Sequence, residues 1–109
     1  MREALIYNLT LKIDKSISDQ WIAEMENKII PECSDVEIVL STQITRILIE
    51  DPDDDTFAIQ FVFPSEEIFN KSGLDIFKKM VLMIDSNFKG KYVYFTTRME
   101  VIHYNNFIA

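Results

Sequence analysis

The sequence predicts an α+β domain of the ferredoxin-like type, with elements in the order strand, helix, strand, strand, helix, strand (βαββαβ). Two observations predict this class. Apolar and polar residues alternate along several segments, which is typical of half-buried strands, and two intervening segments show helical spacing. With right-handed crossovers, this order gives a four-stranded antiparallel sheet that has both helices on one face and strands one and three in its centre. A chain of 109 residues is expected to form one domain, residues 1–109.

The first strand is predicted over residues 5–13. Its apolar positions alternate and define one buried face: Leu5, Tyr7, Leu9, Leu11 and Ile13. A helix is predicted next, because apolar residues recur every four positions. These residues are Ile17, Trp21, Met25 and Ile29. Ser16 with Asp19 resembles a capping box, and Ser18 is a second candidate N-cap. Pro31 is predicted to end the helix.

The middle of the chain is rich in β-branched residues. Residues 36–50 predict a second strand, which is too long to be straight, so a bulge or bend is expected at the polar stretch 41–43. The acidic run 51–55 predicts a solvated turn. A third strand is predicted over residues 56–63, and four of its side chains share one face. These are Phe57, Ile59, Phe61 and Phe63.

The second helix is predicted to begin at Ser65, whose side chain can accept a hydrogen bond from the first turn. Ser72 and Gly73 interrupt the helical pattern. Gly90 is expected to close this helix, since glycine is common just after the last turn. The fourth strand is predicted over residues 91–102, where two sets of alternating side chains lie on opposite faces.

Composition and charge exclude several classes of partner. The net charge is −7 and no run of Lys or Arg exceeds two residues, so no surface for nucleic acid or an anionic membrane is expected. Cys33 is the one cysteine and cannot form an internal disulfide, which fits a reducing compartment. The N-terminus has no charged segment followed by a long apolar run, so neither a signal peptide nor a transmembrane span is expected. The resulting prediction is a cytoplasmic location.

The predicted topology leaves one face of the sheet without helices. The helix-covered face is expected to include Val93, Phe95 and Met99 of the fourth strand. The opposite face is expected to carry a mixed set: Ile6, Asn8, Thr10, Ala58, Gln60, Val62, Tyr92, Tyr94, Thr96 and Arg98. Such a face is not expected to remain bare in water.

Two interpretations of this uncovered face follow. In the first, two copies of the chain bury the face against each other about a two-fold axis, which predicts a homodimer. In the second, a cavity between the two faces also binds a small molecule. The candidate residues for ligand binding or the dimer face are Asn8, Thr10, Gln60, Tyr94, Thr96 and Arg98.

Arg98 is the charged residue in the middle of the predicted fourth strand, next to Thr96 and Glu100 on one face. Its structural interpretation is an ion pair with Glu100 or with an acid of a partner chain. Its functional interpretation is an anchor for an anionic ligand, because a guanidinium recognises carboxylates and phosphates through two parallel hydrogen bonds.

No residue pattern predicts a catalytic group, a metal site or a cofactor. His103 is the one histidine and follows the last strand, where a structural role is expected. Acidic neighbours of Cys33 would raise the pKa of its thiol and make it a poor nucleophile. The acidic run 51–55 is not a calcium loop, since counting from its first residue places Thr56 and Val62 where Gly and Glu are required. Two glycines cannot form a phosphate-binding loop.

Several segments also carry a resemblance to a known family. They are LIYNLT at 5–10, Trp21 and Pro31 of the first helix, RIL at 46–48, TFAIQF at 56–61 and GKYVYFTTRMEVI at 90–102. Together they resemble the bacterial family called domain of unknown function 4286, over Leu5 to Ile102. The interruption at Ser72–Gly73 and the apolar run 80–84 depart from the longer, charged second helix of that family.

The family has no established activity, so the resemblance implies architecture. It is similar to the dimeric α+β barrel proteins, which include cofactor-free monooxygenases, haem proteins and binding or regulatory dimers. The first functional hypothesis is a non-enzymatic homodimer that binds a small molecule or a protein. The alternative is a cofactor-independent oxygenase-like or isomerase-like enzyme, whose site lies between the sheet and the helices or inside the barrel and is lined by Tyr7, Asn8, Tyr94 and Arg98. The third hypothesis is a subunit with a purely structural role in an assembly.

Overall fold

Four strands, β1 (Leu5–Asp14), β2 (Ser41–Ile47), β3 (Asp54–Phe63) and β4 (Tyr92–Glu100), form one antiparallel sheet. The structure is a computed structural model and describes residues 4–34 and 37–105. The strands lie in the order β2–β3–β1–β4. Two helices, α1 (residues 18–33) and α2 (residues 66–88), follow β1 and β3. The predicted ferredoxin-like βαββαβ fold, with strands one and three in the centre, is therefore confirmed.

The core lies between the sheet and the two helices. Residues of odd number in β1 and β3 point into it, and it includes Leu9, Leu11 and Ile59. Trp21 of α1 is fully buried, and its ring lies 4.7 Å from the ring of Phe57 in β3. Because strand and helix residues of one cluster bury each other, both helices cover the same face of the sheet.

Helix α1 begins and ends differently from the prediction. Asp14, and not a serine, caps the preceding 3₁₀ turn Lys15–Ile17 by accepting a hydrogen bond from the backbone N–H of Ser16 at 2.9 Å. The hydroxyl of Ser18 instead donates to Asp55 at 2.6 Å. The helix continues through Pro31 to Cys33, since a wide π-helical turn over Met25–Ile29 changes the hydrogen-bond pattern just before the proline, which has no N–H to donate.

Strand β2 is shorter than predicted. It covers Ser41–Ile47, so the polar stretch 41–43 lies inside a regular strand and not at a bulge. Residue 36, where the strand was expected to begin, lies outside the described residues. Residues 37–40 approach the sheet as a turn, and the backbone N–H of Leu40 donates to the carbonyl oxygen of Val62 at 2.7 Å.

Helix α2 begins at the predicted cap, since the hydroxyl of Ser65 accepts a hydrogen bond from the N–H of Ile68 at 3.2 Å. The predicted interruption is a π-helical turn, Phe69–Gly73, within a continuous helix. Gly73 makes room for a buried ring there, because a Cβ atom at this position would lie 2.4 Å from Cδ1 of Phe69. Gly90 has the left-handed φ of +78° expected of the residue that closes a helix.

Candidate functional site

The sheet has one face that neither helix covers, called the open face below. Residues paired across an antiparallel sheet share a face, so the register assigns four positions of each strand to it. They are Ser41, Gln43, Thr45 and Ile47 of β2; Thr56, Ala58, Gln60 and Val62 of β3; Ile6, Asn8, Thr10 and Lys12 of β1; and Val93, Phe95, Thr97 and Met99 of β4.

The prediction for β4 is wrong, because it exchanges the two faces of the strand. Tyr94 pairs with Leu11, Thr96 with Leu9 and Arg98 with Tyr7, so these three predicted site residues lie on the helix-covered face. Tyr92 lies there as well. Conversely, the apolar residues predicted to face the helices lie on the open face: Val93, Phe95 and Met99.

Long side chains with polar ends explain why this parity is stable. Tyr92 is partly buried against the core, and its hydroxyl donates a hydrogen bond to Asp85 of α2 at 2.9 Å. Burial, followed by the hydrogen bond and charge of Asp85, raises the pKa of Tyr92 to about 12. The ring of Tyr94 contacts Phe77 edge-on, with 6.1 Å between centroids. On an edge strand, such residues can cover the core while their polar atoms reach its rim.

Arg98 forms its ion pair with a residue that the sequence did not indicate. Its guanidinium lies 3.2 Å from the carboxylate of Glu66 in the first turn of α2 and 3.5 Å from the amide oxygen of Asn70. It also lies 5.0 Å from the centroid of the Phe69 ring, which is within cation–π range. The predicted pair with Glu100 is replaced by these contacts, and Arg98 joins β4 to α2.

Asn8, Thr10 and Gln60 lie on the open face as predicted. Asn8 is 7% exposed and pairs with Gln60 in register. Its amide nitrogen donates to the hydroxyl of Thr10 at 2.9 Å. Its Oδ1 atom is buried and has no hydrogen-bond donor within the described part of the chain. A buried amide oxygen without a donor is costly, so this side chain can gain a bond from a second molecule.

The β4 side of the open face is apolar and exposed. Val93 is 67% exposed and Phe95 is 62% exposed. A depression of about 220 Å³ lies beside them and is also lined by Thr10, Lys12, Thr56 and Tyr94. The sequence did not place these two residues on the open face, because both faces of β4 carry apolar and polar residues. Such a pattern gives no signal for which face meets the helices.

The open face carries little charge. Lys12 is the one charged residue among its sixteen positions, all of which belong to the described part of the chain, whereas 27% of the whole sequence is charged. The Lys12 ammonium lies 3.6 Å from carboxylate oxygens of both Asp51 and Asp54. The face is therefore nearly neutral, unlike the acidic chain to which it belongs.

The acidic turn has a structural role. The carboxylate of Asp51 accepts hydrogen bonds from the backbone N–H groups of Asp53 and Asp54 at 2.8 and 3.0 Å. These bonds hold the pKa of Asp51 below its ordinary value. The ammonium of Lys15 donates to the carbonyl oxygen of Asp51 at 2.7 Å. Within residues 4–34 and 37–105, no group of three or more His, Cys, Asp or Glu side chains is arranged to hold a metal ion.

The remaining candidates for chemistry lie apart from the open face. Cys33 is buried at the end of α1, and burial is the main reason that the pKa of its thiol is raised, which makes it unreactive. His103 is exposed and follows β4. No helix in the described part of the chain is both long and apolar enough to cross a membrane.

These features define a ferredoxin-like α+β domain with one uncovered sheet face. The family model of the domain of unknown function DUF4286 matches residues 4–102. The chain therefore belongs to that family, as its sequence segments indicated. No curated protein sequence matches the chain significantly.

Solved structures support the fold. A de novo designed protein, Foldit4, superimposes with a TM-score of 0.62 at 7% sequence identity, covering 91% of this chain and 99% of that one. A Bacillus cereus protein described as an antibiotic biosynthesis monooxygenase superimposes with a TM-score of 0.60 at 11% identity, covering 95% of this chain and 98% of that one. At such low identity the similarity concerns the fold alone.

Proposed function

We propose that this protein is a non-enzymatic homodimeric binding domain whose two protomers bury their open faces against each other. The observation that carries the proposal is the exposure of Val93 and Phe95, 67% and 62%, on a sheet face with one charged residue. Depletion of charge around large apolar side chains is the compositional mark of the core of a protein interface.

The charge of the chain favours a second copy as the occupant of the face. Each chain carries a net charge of −7, so two copies that approach through other surfaces repel each other. The open face is the nearly neutral surface through which two identical acidic chains can meet. A two-fold interface also places the same residues on both sides, so apolar β4 residues of each protomer become buried.

The polar centre of the face supports binding. The buried oxygen of Asn8 has no hydrogen-bond donor among the residues that the structure describes, and Gln60 and Thr97 lie beside it in register. Two such groups, one from each protomer, provide amide and hydroxyl groups that can bond to each other or to a small molecule enclosed between them. The small-molecule ligand remains a prediction of the proposed function.

The enzyme alternative has less support. Two of its expected lining residues, Tyr7 and Tyr94, pack against aromatic rings of α2. The ring of Tyr7 lies 4.7 Å from that of Phe69 and 5.1 Å from that of Phe77. Side chains therefore fill the space beside Tyr7 between the sheet and α2. The fold shared with the Bacillus cereus protein does not by itself transfer an oxygenase activity.

Analytical ultracentrifugation of the wild-type protein at micromolar concentration tests the proposal, and a dimer is expected. The variant Phe95→Asp places a charge in the proposed interface and is expected to sediment as a monomer with an unchanged circular dichroism spectrum. The matched control is Leu82→Asp, because Leu82 is 71% exposed on α2 and lies away from the open face. A monomeric wild type, or a Phe95→Asp dimer as stable as the control, contradicts the proposal.

Native mass spectrometry of freshly isolated protein tests the ligand. The expected result is an added mass that the wild-type dimer retains and that the Phe95→Asp variant loses. An added mass retained by both proteins would place the ligand elsewhere. Turnover of a small molecule by the purified protein would favour the enzyme alternative instead.

A further inference from the structure

The turn between β2 and β3 holds two apolar side chains in water. Leu48 is 91% exposed and Ile49 is 62% exposed. The polar half of the same turn is rigid, because Asp51 accepts two backbone N–H groups and Lys15 holds its carbonyl oxygen. Leu48 and Ile49, called the arm below, therefore precede a segment whose backbone is held by hydrogen bonds.

A depression of suitable size lies at the opposite edge of the open face. It has a volume of about 220 Å³ and lies beside Val93 and Phe95 of β4. A leucine side chain has four non-hydrogen atoms and needs roughly 120 Å³, if each atom takes about the 30 Å³ share of a water molecule. The depression can therefore hold Leu48, and its apolar wall matches that side chain.

The symmetry of the dimer decides whether arm and depression meet. If the two-fold axis runs parallel to the strands, β2 of one protomer lies over β4 of the other and residues keep their rows. Gln60 then faces the partner's Asn8, whose buried oxygen has no donor within the described part of its own chain. Val62 faces the partner's Ile6, and Ile47 faces the partner's Val93.

An axis perpendicular to the strands gives a worse match. It places each strand over its own copy and inverts the rows, so Ile6 faces the partner's Lys12 and Gln60 faces the partner's Ala58. A charge then meets an aliphatic side chain, and Asn8 faces the partner's Thr10, which offers a hydroxyl in place of an amide donor. Packed sheets cross at about 30°, so the facing residue pairs are most accurate at the centre of the sheet. At its corners the symmetry shows only which strand ends lie near each other.

We infer that the two open faces pair about an axis parallel to the strands, and that the Leu48–Ile49 arm of each protomer seats in the depression beside the partner's Val93 and the partner's Phe95. This inference rests on the proposed function and specifies its interface. Each dimer then contains two such contacts.

Cysteine cross-linking tests the contact directly. The variant Leu48→Cys/Val93→Cys is expected to form a covalent dimer under mild oxidation, visible on a non-reducing gel. An internal disulfide cannot form, because β2 and β4 are the two edges of the sheet, about 14 Å apart over three strand spacings, and a disulfide requires Cα atoms within about 7 Å. The control is Leu48→Cys/Leu82→Cys, and the buried Cys33 is common to both.

The outcomes separate this inference from the proposed function. Cross-linking no faster than the control overturns the inference while leaving the dimer. A monomeric wild type overturns both. As an independent measurement, Leu48→Ser is expected to raise the dimer dissociation constant at least roughly tenfold, with the monomer fold unchanged, and an unaltered constant contradicts the arm contact.

Discussion

The two faces of one sheet differ in what buries their apolar side chains. On the helix-covered face, Phe57 and Ile59 are almost completely buried by residues of the same chain. On the open face, Val93 and Phe95 remain mostly exposed. A strand can therefore carry apolar residues on both of its sides, those of one side in the core and those of the other side at the surface.

Strand β4 shows the difference within nine residues. Tyr92 and Arg98 turn towards α2, where each has a polar partner, Asp85 and Glu66. Val93 and Phe95 alternate with them on the other side. The more apolar set therefore points away from the core, which is the reverse of the usual pattern for a sheet that is solvated on one face.

The largest expected effect is a contrast in folding stability between the faces. Phe57→Ala, in the helix-covered core, is expected to lower the free energy of unfolding by about 3–5 kcal/mol. Phe95→Ala is expected to change it by less than about 0.5 kcal/mol. Urea denaturation measures both, at protein concentrations low enough that dimerisation does not contribute. Equal losses would mean that Phe95 belongs to the core of a single chain.

The sequence was sufficient for the parts of the fold that have one clear apolar face. In β1 and β3 the large apolar residues occupy alternate positions, so Leu9, Leu11 and Phe57 were assigned to the core correctly, and with them Asn8, Thr10 and Gln60 to the open face. Local signals at Ser65 and Gly90 also located both ends of α2. These features depend on residues close together in the chain.

The rest depended on contacts between distant residues. The parity of β4 follows from its register with β1 and from pairs such as Arg98 with Glu66, 32 positions apart. Alternation alone cannot choose between a face of Val and Phe and a face of Tyr and Arg. Likewise, the wide turn before Pro31 could not be anticipated, since proline ordinarily ends a helix by removing a donor.

An intermediate effect is expected from the wide turn of α2, which lies on the helix-covered side. Gly73→Ala would bring a Cβ atom within 2.4 Å of Cδ1 of the buried Phe69, so the ring must shift in a packed core. The expected loss is about 1–3 kcal/mol in the free energy of unfolding. The control is Ser72→Ala at the neighbouring position, and an equal or larger loss for the control would contradict this explanation.

The smallest expected effect concerns Asp51, which lies in the turn between β2 and β3. Backbone N–H groups of Asp53 and Asp54 lower the pKa of Asp51 below its ordinary value of 3.8 in the folded chain. Its contribution to stability is therefore complete above that value and is lost as the pH falls through the lower, folded pKa. Asp51→Asn keeps the side-chain oxygen but removes the titrating carboxylate, so its stability is not expected to fall for this reason as the pH decreases.

Urea midpoints of the wild type and Asp51→Asn, followed from about pH 6 to about pH 2, measure this contribution. The wild type is expected to be slightly more stable at the upper end, and the difference is expected to shrink with falling pH. Asp53→Asn in the same turn is the control. Asp51 forms hydrogen bonds in the segment that follows the arm. If Asp51→Asn weakens the dimer more than it lowers the free energy of unfolding of the monomer, the turn contributes more to the proposed interface than to the core.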